Sequence, residues 1–202
     1  MNALLFHCPA LSQLPRAGII HRLDKDTSGL LVVPKTLEAH RHLVNQLQDH
    51  SMCRKYLALV RGTLIAGKTV DAPIGRHRIH RTKMTVTEKG KPATSHFRVK
   101  ERFANHTLLV CQLETGRTHQ IRVHCAWMKY PIVGDPVYNR RPTPPKGAQP
   151  ELVAALQGFK RQALHAYELA FCHPKDNALH TFSAPIPDDM VALLDVLSVE
   201  RL

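Results

Sequence analysis

The sequence contains no long hydrophobic run and no recognisable targeting segment. Its most apolar stretch, residues 29–33, has the length of one buried strand and is too short to cross a bilayer. Residues 1–6 lack the basic region and the sustained apolar stretch of a secretory signal. We therefore expect a protein of the cytoplasm without a membrane partner.

The five cysteines are spread along the chain, and none belongs to a Cys-x-x-Cys pair. This pattern argues against both a disulfide framework and a structural zinc site. His119, His124 and Cys125 lie close together in the sequence, but no second cluster supplies the remaining metal ligands. The glycines form no nucleotide-binding pattern either. We predict that the protein needs neither a metal nor a small-molecule cofactor.

Acidic residues are few in comparison with basic ones. The 202 residues include 16 Asp and Glu against 28 Lys and Arg, which gives a formal net charge of +12. A polyanionic partner is the simplest reason for a protein to carry such self-repulsion. The alternative is a generally basic, solvated exterior. Charge alone does not distinguish RNA from DNA or from an acidic membrane surface.

The hydrophobic pattern predicts one α+β domain over residues 1–202. Hydrophobic residues make up 44% of the chain, enough for a substantial core. An irregular lead-in is expected at 1–17 and a surface loop at 142–147. Periodicity predicts strands at 29–33, 55–62, 94–103, 106–113 and 164–172, and helices at 37–50 (N-cap Thr36), 119–129, 151–158 and from Pro187 onward. The helices do not alternate with the strands, which favours the α+β class.

Three segments carry more reactive groups than a fold requires, and the first is residues 21–29. It places Asp24 and Asp26 among two cations and two hydroxyls, in a loop that leads into an apolar strand. Neighbouring cations keep a carboxylate ionised, as a nucleophile must be. The alternative is a salt-bridged turn whose polar side chains satisfy backbone groups.

The second segment, residues 113–124, is polar or charged at eight of its twelve positions. Its arginines, glutamine and histidines suit phosphate binding and hydrogen bonds to base edges. If 119–124 is helical, Gln120 and His124 share one face, while Ile121 points into the core. The alternative is a solvated basic face.

The third segment, residues 74–84, contains four Lys or Arg and two His. Such a segment can clamp a nucleic-acid backbone. The basic side chains of this predicted clamp are Arg76, Arg78, Arg81 and Lys83. A charge run is otherwise a solvated loop, but the excess of basic residues along the whole chain favours the clamp.

Five motifs follow one another along nearly the whole chain. They are His-Arg-Leu-Asp at 21–24 with Thr-Ser-Gly-Leu-Leu at 27–31, Arg-Lys-Tyr at 54–56, Gly-Arg-Thr-His-Gln-Ile-Arg-Val-His at 116–124, Gly-Asp-Pro-Val-Tyr at 134–138 and Arg-Gln-Ala-Leu-His-Ala at 161–166. Their sequences and their order resemble the RluA family of RNA pseudouridine synthases. Residues 15–29 and the Pro-Pro-Lys-Gly loop most resemble the D-type branch, which acts on large-subunit ribosomal RNA.

The resemblance implies a fold and a set of residue roles. The family fold is a large, mixed, mostly antiparallel curved sheet with flanking helices and a central active-site cleft. Asp24 matches the catalytic aspartate, Tyr56 the active-site tyrosine that packs against the target base, and Arg122 the arginine that pairs with the aspartate. The residues that match RNA-contacting segments are Arg22, Arg117, His119 and Gln120.

The resemblance also implies an activity: isomerisation of specific uridines to pseudouridine without a cofactor, as a step in ribosome maturation. The partner would be a stem-loop of large-subunit ribosomal RNA, bound by a monomer. Asp24 would attack the sugar carbon or assist loss of a sugar proton to give a glycal, and the residues do not distinguish these routes. D-type enzymes also carry an N-terminal S4-like RNA-binding domain. We expect it in the full-length protein, and these 202 residues do not include it.

Two other functional classes compete with this interpretation. A passive RNA-binding or ribosome-assembly protein accounts for the charge but not for the carboxylates at 24 and 26. A phosphotransferase is suggested by His-Arg-Leu-Asp, which is similar to a kinase catalytic loop. The sequence has neither the glycine-rich loop nor the Asp-Phe-Gly motif of a kinase, and it is too short.

Overall fold

A mixed sheet of seven strands forms the centre of the protein, seen in a computed structural model that describes residues 2–139, 144–145 and 147–199. The strands in chain order are β1 (Ser28–Gly29), β2 (Cys53–Arg61), β3 (Lys68–Asp71), β4 (Ile74–Arg76), β5 (Met84–Val86), β6 (Thr94–Arg102), β7 (His106–Leu113), β8 (Leu164–Cys172) and β9 (Leu179–Ser183). The large sheet has the order β1-β8-β2-β7-β6-β3, and β9 also pairs with β8. Only β1 and β8 run parallel among the described strand pairs. β4 and β5 form a separate hairpin.

Helices accompany this sheet, so the predicted α+β class is confirmed. The described α-helices are α1 (Asn2–His7), α2 (Leu37–Gln48), α3 (Gln120–Trp127), α4 (Pro150–Gly158) and α5 (Asp188–Val199). Two 3-10 turns, Pro9–Gln13 and Pro15–Gly18, follow α1. Within the described ranges, no helix is both long and apolar enough to cross a membrane.

Strand β2 lies at the centre of the main core. It is hydrogen-bonded to β7 on one side and to β8 on the other. Its residues from Tyr56 to Val60 are all buried, so both faces of this strand are covered. Helices α4 and α5 complete the core with buried side chains such as Leu156 and Met190.

Helix α2 packs on β8 through a second, smaller cluster. Thr36 caps the helix as predicted, since its Oγ1 accepts a hydrogen bond from the Ala39 amide at 3.1 Å. Leu43 then packs with Leu169 and Phe171 of β8. The segment that follows the 3-10 turns also packs on this cluster, through Ile20 and other apolar side chains. This contact fixes the chain on either side of the loop at 21–29.

The predicted strand at 29–33 is wrong beyond Gly29. The Leu30 amide still donates to the carbonyl of Ala166, but the Val32 amide donates to Nε2 of His21 at 3.1 Å. The chain therefore leaves the sheet after one residue and bends back over its own loop. The irregular lead-in predicted at 1–17 in fact contains α1 and the 3-10 turns.

Four strands have no clear signal in the sequence: β3, β4, β5 and β9. They are three to five residues long. All five residues of β9 are exposed, so neither face of this strand has to be apolar. The alternation of apolar and polar residues that marks a half-buried strand is therefore not expected here. The other predicted strands and helices are confirmed to within a few residues at their ends. Half of the loop predicted at 142–147, namely residues 142, 143 and 146, lies outside the described residues.

Candidate active site

An open cleft of about 500 Å³ brings together segments that are distant in the sequence. Its walls come mainly from residues 20–27, from the first half of β2 and from residues 113–121. Two of the three reactive segments predicted from the sequence therefore meet in one place. The third, residues 74–84, does not line the cleft.

A tight turn and the parallel strand pair hold Asp24 at this cleft. The Asp24 carbonyl accepts a hydrogen bond from the Thr27 amide at 3.0 Å, and Asp26 within the turn has a φ of 66°. Gly29, with a φ of 108°, then passes so close to β8 that a Cβ would lie 2.1 Å from the carbonyl oxygen of Ala166. A larger residue here would push the turn off the sheet.

Gln162 supports the same turn from the segment before β8. Its side-chain amide donates to the carbonyl of Lys25 and to Oγ1 of Thr27, the latter at 2.9 Å. The side chain is buried, at 1% exposure. Gln162 is therefore a positioning residue for Asp24. It belongs to the motif at 161–166, but the sequence alone gives it no role.

Arg122 joins Asp24 to a second carboxylate, that of Asp135. Nη1 of Arg122 donates to Oδ2 of Asp24 at 3.3 Å. Nε and Nη2 donate to the two oxygens of Asp135 at 2.8 and 3.0 Å. Burial lowers the pKa of Arg122, but the hydrogen bonds and charges of Asp135 and Asp24 outweigh burial, and the net pKa is raised. The guanidinium is thus a fixed cation beside the predicted nucleophile.

Sequence reasoning does not find Asp135, although this residue orients Arg122. Its carboxylate is fully buried, and Oδ1 also accepts hydrogen bonds from the amides of Val137 and Tyr138 at 2.8 and 3.0 Å. A signal exists in the motif at 134–138, where one acidic residue stands between a glycine and a proline. Gly134 has a φ of 71°, and a Cβ there would lie 2.1 Å from a backbone oxygen. The motif thus places a carboxylate in the protein interior.

Tyr56 lines the cleft from β2, next to a β-bulge. Lys55 pairs with Glu168, whereas Tyr56 pairs with Ala166, so that one residue of β8 is skipped. Burial raises the pKa of Tyr56; Arg54 lowers it and the charge of Asp24 raises it, and the net pKa is raised. The phenol is therefore protonated at neutral pH, with its ring beside the predicted nucleophile.

His119 connects the cleft to strand β5. It precedes α3 in a left-handed conformation, with a φ of 58°. Its Nδ1 lies 2.9 Å from the hydroxyl of Tyr138, and that hydroxyl accepts a hydrogen bond from the Met84 amide at 2.9 Å. Burial lowers the pKa of His119 even though Asp24 is near, which favours a neutral ring at pH 7. Burial also raises the pKa of Tyr138 to about 12, so its hydroxyl stays protonated.

The other predicted RNA-contacting residues of the cleft differ in their exposure and in whether the protein already occupies their hydrogen-bonding positions. Arg22 is exposed and Arg117 is partly exposed, and both line the cleft. Gln120 is 3% exposed, and all four hydrogen-bonding positions of its amide are used within the protein, by the backbone of Thr94 and Arg117 and the hydroxyls of Ser95 and Thr115. This geometry does not support contact of Gln120 with a base. We assign Gln120 to positioning of residues 115–117 instead.

The predicted clamp lies at the tip of the β4–β5 hairpin. Arg76, Arg78 and Arg81 are exposed, and Lys83 is partly exposed. The backbone of the tip is held by short-range hydrogen bonds, including those that the amides of Ile79 and His80 donate to a histidine ring. The Met84 amide, next to this tip, is linked through the Tyr138 hydroxyl to His119 of the cleft, so the clamp stands beside the site without forming its wall.

No group of three or more potential ligands that could hold a metal ion occurs among the described residues. In the His119–Cys125 segment, both ring nitrogens of His124 are engaged, with Oγ of Ser95 at 2.9 Å and with the carbonyl of Ala72 at 3.0 Å. Cys125 is fully buried, and burial raises the pKa of its thiol. His124 and Cys125 are therefore part of the packing around α3, whereas His119 lies at the cleft.

Comparison with known proteins identifies the family and the fold. A family model described as RNA pseudouridylate synthase matches residues 7–127, a range that contains Asp24, Tyr56 and Arg122. The chain belongs to the RNA pseudouridylate synthase family. The resemblance seen in the sequence motifs is thereby confirmed at the level of the family.

Members of this family include close relatives of the chain. It is 55% identical over 197 residues to "Ribosomal large subunit pseudouridine synthase D" of Xanthomonas campestris, covering 98% of this chain and 60% of the relative. It is 52% identical over 200 residues to the protein of the same name from Escherichia coli K12, covering 99% of this chain and 61% of the relative. The chain thus spans about three fifths of the length of these relatives.

Solved structures of the pseudouridylate synthase family share the fold. The human RNA pseudouridylate synthase domain containing 1 aligns with a TM-score of 0.66 and 27% identity, over 82% of this chain and 67% of that chain. The human RNA pseudouridylate synthase domain containing 4 aligns with a TM-score of 0.70 and 24% identity, over 89% and 75%. The predicted pseudouridine synthase fold, with its mostly antiparallel sheet and flanking helices, is confirmed.

Proposed function

We propose that this chain isomerises specific uridines of large-subunit ribosomal RNA to pseudouridine, with Asp24 as the nucleophile. The observation that carries the proposal is the Asp24 carboxylate, which a buried arginine orients at an open cleft beside a protonated tyrosine. The names of the relatives from Xanthomonas campestris and Escherichia coli indicate the RNA. They support the substrate class, while the geometry supports the chemistry.

The reaction exchanges one bond for another within a single nucleotide. The bond between C1′ of the ribose and N1 of uracil breaks, the base turns, and a bond forms between C1′ and C5. C5 then loses its proton and N1 gains one, so the reaction needs no oxidant and no group donor. Asp24 serves either by attack on C1′ or by removal of a sugar proton to give a glycal, and both routes need an ionised carboxylate in fixed geometry.

The remaining cleft residues hold the base during this exchange. The target base has to leave its stack, which costs a few kcal/mol. The ring of Tyr56 offers a stacking surface for the extruded uracil, and Arg122 keeps Asp24 in place. The exposed Arg22 and the partly exposed Arg117 at the cleft, with the clamp at 76–83, supply contacts to the phosphate backbone that offset the cost.

The direct test is tritium release from transcripts of large-subunit ribosomal RNA fragments that contain [5-³H]uridine. Isomerisation replaces the hydrogen at C5, so we expect tritium in the water fraction in proportion to pseudouridine formed. A passive RNA-binding protein would bind the transcripts and release none. Binding without release from any large-subunit fragment would favour that second class.

We further propose that the chain acts as a monomer, without a cofactor, in the cytoplasm. The cleft groups named above all come from one chain, which supports a monomeric site. The cysteines are all free thiols, as expected in a reducing compartment. Light scattering during size-exclusion chromatography tests the first point, and full activity after exhaustive chelation and dialysis tests the second.

A further inference from the structure

Arg54 is a buried cation that has no carboxylate partner among the described residues. It is 5% exposed, and it lines the cleft from β2. Its Nη2 donates to the backbone carbonyl of Glu114 at 2.9 Å, but the Glu114 carboxylate turns away and lies 2.7 Å from Nε2 of His96. Burial lowers the pKa of Arg54, as expected for a cation that is removed from water without a counter-charge. An uncompensated buried charge of this kind is unfavourable unless something else binds it.

Two buried hydrogen-bond donors at this place, one on Arg54 itself and one on His21, also lack an acceptor in the part of the chain that the structure describes. Burial, with a smaller effect of the Arg54 charge, lowers the pKa of His21 to about 4, so the ring is neutral at pH 7. Its Nε2 accepts from the Val32 amide, which leaves the ring proton on Nδ1. Within the described residues, neither Nδ1 of His21 nor Nε of Arg54 has a hydrogen-bond partner. Buried donors are normally paired, so these two mark a place that lacks an acceptor.

The loop at 114–117 packs against the Arg54 guanidinium with backbone atoms, because Gly116 has no side chain to place there. A Cβ at Gly116 would lie 2.9 Å from Nη1 of Arg54, so any larger residue there would press on this group. Glu114 in the same loop is held through its carbonyl by both Arg54 and Nδ1 of His50, the latter at 2.7 Å. The loop therefore packs around the cation with neutral groups and does not neutralise it.

Arg54 also stands at a suitable distance from the position of the target base. It lies two residues before Tyr56 on β2, and residues i and i+2 of a strand share a face about 7 Å apart. A uracil against the tyrosine ring would place its own sugar and phosphate near this part of the cleft. A phosphate oxygen is the anionic acceptor that a guanidinium binds best.

We propose that Arg54 binds one phosphate of the RNA backbone next to the target uridine, with His21 as a second donor in the same wall. This inference rests on the proposed function, because it takes the Tyr56 ring as the place of the base. It differs from the clamp at 76–83, since that clamp is exposed and stands outside the cleft. Arg54 would contact one defined phosphate.

The test is a scan of single neutral phosphates in an RNA hairpin that the protein binds. Each transcript carries one methylphosphonate, which removes the charge of one phosphate, and binding is measured by titration. We expect parent protein to lose roughly tenfold to a hundredfold in affinity at one phosphate that Arg54 contacts. The variant Arg54→Gln should bind the unmodified RNA more weakly by a similar factor and lose nothing further at that phosphate.

The matched control is Lys55→Gln, which removes the neighbouring cation. Lys55 pairs with Glu168 at 2.7 Å, is absent from the cleft wall, and should give the same scan as the parent. Thermal unfolding of each variant checks the fold. If Arg54→Gln does not fold, Arg54→Met carries the same test, because it removes the charge and keeps the length and the apolar stem of the side chain.

The proposal is overturned if Arg54→Gln, or Arg54→Met in its place, responds to every neutral phosphate as the parent does. Arg54 would then only support the loop at 114–117. Binding is measured without turnover, so this outcome is independent of tritium release from unmodified RNA. Absence of release with an intact phosphate contact would reject the isomerase proposal and leave the Arg54 site in place.

Discussion

The carboxylate network of the cleft and the clamp at 76–83 are both rich in charge, but they are built in opposite ways. In the network, Arg122 is 4% exposed and lies between two carboxylates at hydrogen-bonding distance. In the clamp, Arg76, Arg78 and Arg81 are exposed on a hairpin tip. The first arrangement holds its atoms in fixed positions, whereas the second leaves long side chains in solvent.

The difference has an energetic basis. A buried ion pair is costly to assemble, and removal of one partner leaves an uncompensated charge that costs about 3–5 kcal/mol. Exposed charges interact weakly within the protein and act mainly by releasing counterions from RNA. Mutations in the network should therefore change turnover, and also stability where the fully buried Asp135 loses its charge, whereas mutations in the clamp should change affinity and its salt dependence.

The largest effect is expected from Asp24→Asn. The amide keeps the shape of the side chain but is not a nucleophile, so tritium release should fall by at least about a thousandfold. RNA affinity and thermal stability should stay close to those of the parent, because Asp24 accepts a single long hydrogen bond of 3.3 Å from Arg122. Asp195→Asn, at an exposed position of α5, is the control. Turnover near the parental rate would remove Asp24 from the catalytic role.

A smaller loss of turnover is expected from Asp135→Asn. This change removes the charge that orients Arg122 through two hydrogen bonds, so Asp24 loses its fixed partner. We expect tritium release at saturating RNA to fall by roughly a hundredfold, together with a loss of about 3–5 kcal/mol in the free energy of unfolding. Urea denaturation and single-turnover kinetics measure the two effects. A loss of stability with unchanged turnover would make Asp135 a purely structural residue.

The clamp should behave in the opposite way. Alanine at Arg76, Arg78, Arg81 and Lys83 together should leave turnover at saturating RNA nearly unchanged. The slope of log affinity against log salt should become flatter by about three units, since each phosphate contact contributes about 0.7–0.9. Binding should weaken similarly on target and non-target hairpins, because phosphate contacts carry no sequence information. An unchanged slope would show that the hairpin tip is only a solvated loop.

The smallest effect concerns stability in acid, and it distinguishes buried histidines from an exposed histidine of the clamp. Burial lowers the pKa of His106, a core residue, and of His21, in the cleft wall, from 6.5 to about 4. The unfolded chain takes up protons near pH 6.5 while the folded chain does not, so the free energy of unfolding should fall as pH drops from 6.5 toward 4. Each histidine contributes up to about 1.4 kcal/mol per pH unit.

His106→Gln should therefore reduce this slope in urea denaturation at pH 6.5, 5.5 and 4.5. His80→Gln in the clamp is the matched control, because His80 is exposed and its removal should leave the slope unchanged. Equal slopes in His106→Gln and the parent would contradict the assignment of His106 as a residue that stays neutral when buried.

The sequence predicts those elements whose hydrophobic pattern extends over many residues. Strand β2 has a continuous apolar run, and α2 has both periodicity and a capping threonine, so both are found. Strands β4 and β9 are not found, because a strand of three to five residues with little burial has no period to detect. The strand expected at 29–33 fails because the Val32 amide pairs with the ring of His21, a contact between side chain and backbone that no periodicity reports.

The residues of the site divide in a similar way, into those that a motif identifies and those whose role depends on their contacts in the fold. Asp24 and Arg122 are found through motif resemblance, and they meet across 98 residues of sequence. Asp135 and Arg54 lie inside motifs as well, but their roles depend on which atoms lie opposite them. Gln120 shows the reverse: its residue type suggests contact with a base, yet the fold uses all of its hydrogen bonds internally.

The parallel pairing of β1 with β8 has a consequence for the order of folding. Ser28 meets His165 across 137 residues, whereas β6 and β7 form a hairpin from neighbouring segments. Closing a long loop costs entropy before its contacts form, so we expect local hairpins to assemble first and the Asp24 turn to dock late. We expect refolding from urea to restore the circular dichroism of the sheet before activity returns, and a newly made chain to have no working site until β8 has been synthesised.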